Sequence, residues 1–93
     1  MGMDIIGKNN EVHFNWNGWR FVLDLAIQYD WEPDEKADYF TNSGQTLTAQ
    51  DRNNISQALQ KGLNKEGTEM HPIMKRKVKE FVHICNDGVF HLW

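Results

Sequence analysis

Cysteine and proline are scarce in this chain of 93 residues, and long apolar runs are missing. A single cysteine excludes an intramolecular disulfide, so the fold must hold without a covalent cross-link. No apolar stretch approaches the roughly 18 residues that a membrane span requires, and the first residues lack the apolar core of a signal peptide. We therefore expect a reduced, cytoplasmic protein that does not enter a membrane.

The length and the aromatic content predict one small domain over residues 1–93. Domains usually contain about 50 to 250 residues, and a chain this short buries only about 60–65% of its unfolded surface. Aromatic residues make up 12% of the sequence, with four tryptophans among them, which argues against a disordered chain. We expect a small core that contains several large rings.

The net charge of −3 is unevenly distributed along the sequence. Residues 1–52 contain nine acids and four bases, whereas residues 53–93 contain six bases and four acids, so the two parts carry −5 and +2. Such asymmetry is typical of a charged contact surface, but it also arises when two solvated faces differ without a function. The pI of 5.7 argues against a nucleic-acid-binding domain, for which a pI above about 9 is usual. One basic cluster is a candidate for phosphate contacts: Lys75, Arg76, Lys77 and Lys79. It lacks the interleaved exposed aromatic residues that nucleic-acid binding would favour.

Alternation of apolar and polar residues at 12–17 predicts a short strand with one buried face. The next residues allow two interpretations, because Asn17-Gly18 is typical of a hairpin turn and Asn17 also suits the N-cap of a helix. Helical spacing connects the apolar residues that follow: Trp19, Val22, Leu23, Ala26 and Ile27. This pattern is too long for a hairpin arm, and Pro33 then stops it, so we predict a helix over about 18–30.

Two further helices have clear starts. Thr48 and Asp51 form a capping-box-like start before one apolar stripe, which predicts a helix over about 49–64. Pro72 suits a first helical turn, and a second apolar stripe before Gly88 predicts a helix over about 72–86. The stripes contain Ile55, Ala58, Leu59 and Leu63 in the first of these helices, and Met74, Val78, Phe81, Val82 and Cys85 in the second.

The last residues, 89–93, predict a terminal strand, which we place in the sheet beside residues 11–16. The predicted fold class is α+β, with three helices packed on a small antiparallel sheet that includes the N- and C-terminal strands.

Three segments have a recognisable order of residues. Residues 18–33 begin with Gly-Trp and end with Tyr-Asp-Trp-Glu-Pro, residues 42–51 place Gly-Gln before a capped helix, and residues 81–93 combine a Phe-containing helix, a glycine and a terminal strand. Together they resemble a widespread family of small bacterial proteins that has no known activity. The resemblance implies the fold and carries no function, and Asp34-Glu35 departs from the Gly-Thr that the family has after the proline.

The histidines, the cysteine and the acidic loop do not form a convincing chemical site. His13 and His91 would meet if the terminal strands paired, but two imidazoles alone make a poor zinc site. Cys85 lies on an apolar stripe, which is typical of a core residue rather than a nucleophile. The acidic loop has Glu35 where a calcium loop needs glycine and Thr41 where it needs a bidentate carboxylate. We predict no catalytic residue, no metal and no cofactor.

The aromatic residues that the helical stripes do not absorb give the best functional hypothesis. Trp and Tyr are frequent anchors of protein interfaces, and an apolar cluster rimmed by acids is a common form of interface. An equally weighted interpretation is that these rings cap the ends of the helices. The candidate contact residues are Trp16, Trp31, Asp34, Glu35, Tyr39 and Phe40.

The predicted function is therefore protein–protein interaction without catalysis, of the inhibitor, immunity or adaptor type. An acidic binder gains association rate against a basic partner through charge steering. One alternative is a small enzyme or ligand-binding protein with a site built from His13, His91 or the acids at 30–38. Another is self-association, in which the same surface closes a homodimer.

Overall fold

The computed structural model describes residues 2–35, 37–41 and 43–93. It shows an α+β fold with three helices and a sheet of four antiparallel strands. In chain order the elements are β1 (Gly2–Ile6), β2 (Glu11–Asn15), α1 (Trp16–Gln28), β3 (Gln45–Thr46), α2 (Ala49–Glu66), α3 (Pro72–Asp87) and β4 (His91–Leu92). Among the described residues, none of the helices is both long and apolar enough to cross a membrane.

The sheet has the strand order β2-β1-β4-β3, so β1 occupies a central position. β1 and β2 form a hairpin that the bond from Gly7 N to Asn10 O closes at 2.8 Å. The terminal strand β4 pairs with β1, with Ile5 opposite Leu92, and the prediction that it lies beside residues 11–16 is wrong. β1 lies between the two strands, and its alternate side chains, Met3 and Ile5, are fully buried beneath the sheet.

Side-chain caps define the helix starts. The Asn15 side chain accepts a hydrogen bond from Gly18 N at 2.7 Å, so α1 begins at Trp16 and Asn17-Gly18 lies in its first turn instead of a hairpin. α1 ends at Gln28, two residues before the predicted end, and Asp30 then adopts a positive φ of 84°. Aspartate tolerates this left-handed conformation better than most residues.

The starts of α2 and α3 are confirmed. Thr48 Oγ1 accepts from Asp51 N at 3.1 Å at the start of α2, and Pro72 is the first residue of α3. The ends lie slightly beyond the predicted 64 and 86, at Glu66 and Asp87.

The core lies between the helices and one face of the sheet. Four rings meet there, with Phe81 in contact with Trp19 at 5.5 Å, Phe90 at 5.6 Å and Phe14 at 6.2 Å between centroids. The opposite face of the sheet carries polar residues and is exposed, as Asp4, His13 and His91 illustrate. The large rings therefore supply much of the apolar burial that a small core needs.

Candidate functional site

Two aromatic side chains between α1 and β3 pack into the core. Trp31 is only 2% exposed and Tyr39 only 7% exposed, and their rings meet edge to face with centroids 5.1 Å apart. The indole of Trp19 donates from Nε1 to the carbonyl oxygen of Tyr39 at 2.6 Å, which fixes the backbone at that position as well.

The carboxylate of Asp51 receives the polar ends of both rings. Trp31 Nε1 donates to Asp51 Oδ1 at 2.7 Å, and the Tyr39 hydroxyl donates to Asp51 Oδ2 at 2.6 Å. The same hydroxyl accepts from Asp34 N at 3.0 Å, so it both donates and accepts a hydrogen bond. We call Trp31, Tyr39 and Asp51 the Asp51 network. It couples the loop to the first turn of α2, because Asp51 also forms the cap with Thr48.

Burial and the Asp51 carboxylate raise the pKa of Tyr39 to about 12. A nearby anion disfavours the phenolate, and a partly desolvated site does the same. The hydrogen bond that the Tyr29 hydroxyl donates to Glu66 at 2.5 Å raises the pKa of that phenol too. The sequence contains only these two tyrosines.

The tyrosine titration is therefore expected to be displaced to high pH in the folded protein. In an absorbance titration of tyrosinate, neither phenol should ionise at the ordinary pKa of 10.0, whereas both should do so in denaturant. Because the folded state holds the Tyr39 proton longer than the unfolded state, its contribution to stability is complete below pH 10.0 and is lost as the pH rises toward 12. Tyr39→Phe should remove the step near pH 12, and a Tyr39 phenol that titrates at its ordinary pKa in the folded state would contradict the Asp51 network.

The residues between the two anchoring rings expose a series of carboxylates. We call residues 30–35, 37 and 38 the acidic loop, and its exposed acids are Asp30, just before Trp31, and Glu32, Asp34, Glu35 and Asp38. Beside the loop is a cavity of about 240 Å³, lined by Glu32, Asp34, Thr48, Gln50, Asp51 and Asn54. The buried rings of Trp31 and Tyr39 anchor the backbone on either side of these acids, and the hydrogen bond from Asp34 N to the Tyr39 hydroxyl adds a third fixed point.

An exposed aromatic patch adjoins the acidic loop. Phe40 is 48% exposed, its ring lies 6.5 Å from that of Trp16, and the guanidinium of Arg20 lies 6.0 Å from its centroid. Trp16 is half-buried and packs against the core. Phe40 N donates to Asp38 Oδ1 at 2.9 Å, which connects this patch to the acidic loop. We call Trp16, Arg20 and Phe40 the aromatic patch.

The structure divides the predicted contact residues into two groups. Trp31 and Tyr39 lie in the core, with their polar ends bonded to Asp51, and not on the exposed surface that an interface anchor requires. The other predicted residues remain accessible, fully or in part: Trp16, Asp34, Glu35 and Phe40. The sequence prediction does not include Arg20, because it starts the helix at 18; with α1 starting at Trp16, Arg20 lies four residues on, on the same side of the helix.

The remaining candidate groups do not converge. His13 Nδ1 lies 2.5 Å from Asp4 Oδ1 on the exposed sheet face, and β1 separates β2 from the strand of His91. The thiol of Cys85 is buried, and burial raises its pKa to about 12, which is the opposite of what a nucleophile needs. Within the described part of the chain, no three histidine, cysteine or acidic side chains are grouped so that they could hold a metal ion.

Comparisons of the chain with protein-family models, with curated proteins and with solved structures find no match. The resemblance to a family of small bacterial proteins therefore stays a prediction from the order of residues.

Proposed function

We propose that this chain is a protein-binding module that performs no chemistry of its own and acts in the bacterial cytoplasm as an inhibitor, immunity protein or adaptor. Its contact surface consists of the aromatic patch and the neighbouring acidic loop. The observation that carries the proposal is the position of Phe40. Its ring is exposed in a sequence where the preceding residue, Tyr39, is buried and fixed by hydrogen bonds at both its carbonyl and its hydroxyl.

The chemistry of the surface favours a protein partner with basic residues. Aromatic and arginine side chains dominate the binding energy of many interfaces, and the patch supplies Trp16, Arg20 and Phe40 together. The acids of the loop would attract a positively charged surface before contact and orient it on approach. Anchoring lowers the entropy that the loop loses on binding, because the Asp51 network holds the segment before the partner arrives.

Capture from cells that produce the protein tests this proposal. The wild-type chain and Phe40→Ala are used as baits, with Val89→Ser as the matched control, since Val89 is similarly exposed at 54% but lies outside the patch. We expect the wild type and Val89→Ser to recover the same basic protein and Phe40→Ala to lose it. With the purified partner, Phe40→Ala should weaken binding by about tenfold or more.

The contribution of the acidic loop is measured separately, as the rate of association with the purified partner. The combined variant Asp34→Asn and Glu35→Gln should mainly slow association and reduce its dependence on salt, since exposed charges act on encounter more than on the bound state. Equal recovery by Phe40→Ala and the wild type would contradict the proposal, as would a wild-type bait that recovers no partner.

A further inference from the structure

The outer edge of β2 is an open sheet edge that is five residues long. In the strand order β2-β1-β4-β3, β2 is terminal, and within the described residues no strand lies on its other side. It pairs with β1 over five consecutive residues, from Glu11 opposite Ile6 to Asn15 opposite Gly2, without a bulge. The opposite edge, β3, contains only two residues. β2 therefore presents the longer row of backbone donors and acceptors.

β2 lacks several of the features that usually protect an open strand. Natural sheets block their edges with proline, lysine, bulges or very short strands. The sequence of β2, Glu-Val-His-Phe-Asn, contains no proline, no glycine and no lysine. Its inward-facing residues Val12 and Phe14 are buried, so the strand packs firmly on the core. Such an edge can accept an added strand without rearrangement.

The cations of α3 nearest this edge, Arg76, Lys77 and Lys79, outnumber the acids beside them, Glu11 and Glu80. α3 lies beneath β2 along its length, since Phe81 contacts Phe14 and the amide of Asn9, just before β2, donates to Asp87 at 2.8 Å. A cavity of about 300 Å³ opens between the start of β2 and α3, lined by Asn10, Glu11, Arg76, Lys79, Glu80 and His83. Lys77 also lies on this side, with its ammonium 6.0 Å from the Phe14 ring centroid.

We propose that the β2 edge and the basic side of α3 form a second binding site, which takes an extended acidic segment of another protein as an added strand. The segment's backbone would pair with β2, and alternate carboxylate side chains would reach Arg76, Lys77 and Lys79. Pairing of two copies through β2 would bring the basic sides of both α3 helices together, so charge favours an acidic strand over a second copy. This site uses no residue of the aromatic patch or of the acidic loop.

Two short synthetic peptides test this site on the whole chain. One alternates glutamate with valine over six residues, and the other has lysine in place of each glutamate. Binding is followed by amide chemical shifts and by hydrogen exchange of β2. We expect the acidic peptide to bind and to protect the β2 amides from exchange. The lysine peptide should bind at least about tenfold more weakly, and added salt should weaken the binding of the acidic peptide.

Charge reversal makes the test specific to α3. The variant Arg76→Glu with Lys79→Glu should invert the preference between the two peptides, whereas the control Lys61→Glu with Lys65→Glu on α2 should keep it. Methylation of alternate backbone nitrogens in the acidic peptide should abolish binding, because the added strand then loses its donors to β2. Absence of binding, equal binding of both peptides or protection away from β2 would each overturn the proposal. A dimer in sedimentation equilibrium that protects β2 without peptide would also overturn it, in favour of a second copy.

Discussion

Trp31→Ala is expected to lower the free energy of unfolding by about 3–5 kcal/mol, the usual cost of truncating a large buried ring. The Trp31 ring is 2% exposed, packs on Tyr39 at 5.1 Å and donates to Asp51, so the substitution removes apolar burial and a hydrogen bond together. Small domains are stable by only about 5–15 kcal/mol, and the variant would lose a large part of that margin.

A matched tryptophan gives the control for this experiment. Trp93 is 53% exposed, and Trp93→Ala should change the free energy of unfolding by no more than about 1 kcal/mol. Urea unfolding followed by circular dichroism at 222 nm compares the two variants with the wild type. Equal losses in both would contradict the assignment of Trp31 to the core and would restore it as a surface residue.

Asp51→Ala is expected to cost about 2–4 kcal/mol, although it removes only a carboxylate from the first turn of a helix. The cost arises because Trp31 Nε1 and the Tyr39 hydroxyl both donate to this carboxylate and would be left without an acceptor in a largely buried site. Asp51→Asn keeps one acceptor oxygen and should fall between Ala and the wild type. Asp24→Ala, on the exposed side of α1, serves as the control and should have little effect.

A double-mutant cycle separates the hydrogen bond from other effects of Asp51→Ala. In a Tyr39→Phe background the hydroxyl is already absent, so Asp51→Ala should cost less than it does in the wild type. Strict additivity of the two substitutions would show that Tyr39 and Asp51 do not interact, and the Asp51 network would then be refuted.

The helices were predictable because their signals are local. Thr48 and Pro72 mark helix starts by the chemistry of the first turn, and the apolar stripes define the buried faces. The sequence predicts the start of α1 two residues too late because Asn15 and Asn17 are both suitable caps. The pattern does not decide which of the two side chains reaches the free N–H groups. The choice between hairpin and helix, in contrast, follows from the length of the apolar spacing.

The sheet order was harder to predict because it depends on distant residues. β1 is a short alternating segment beside polar residues, and its central place arises from pairing with residues 91–92 at the other end of the chain. Nothing local to residues 2–6 specifies that partner. For this reason the sequence predicts the wrong neighbour for the terminal strand.

The candidate site was predictable in composition but not in exposure. The sequence identifies an excess of rings and acids around 30–40, yet it does not show that Asp51, far along the chain from Trp31, provides the acceptor for the polar atoms of the buried Trp31 and Tyr39. Phe40, the neighbouring residue, lies exposed beside Trp16. Ring type alone did not separate the anchors of the loop from its surface.

The two proposed surfaces follow the charge asymmetry of the sequence. The acidic loop lies in the part of the chain that carries −5, and the basic side of α3 lies in the part that carries +2. Phe40→Ala tests the first surface, and the Arg76 and Lys79 reversals test the second. The two sets of variants share no residue, so either proposal can fail without the other.

Hydrogen exchange of the four tryptophan indole N–H groups tests most directly whether the loop is anchored. Trp19 donates to Tyr39 O and Trp31 donates to Asp51, whereas Trp93 is exposed and Trp16 is half-buried at the surface. In ¹H–¹⁵N spectra assigned with single Trp→Phe variants, the Trp19 and Trp31 indoles should exchange slowly and those of Trp16 and Trp93 rapidly. A Trp31 indole that exchanges as fast as that of Trp93 would contradict a loop held by the Asp51 network.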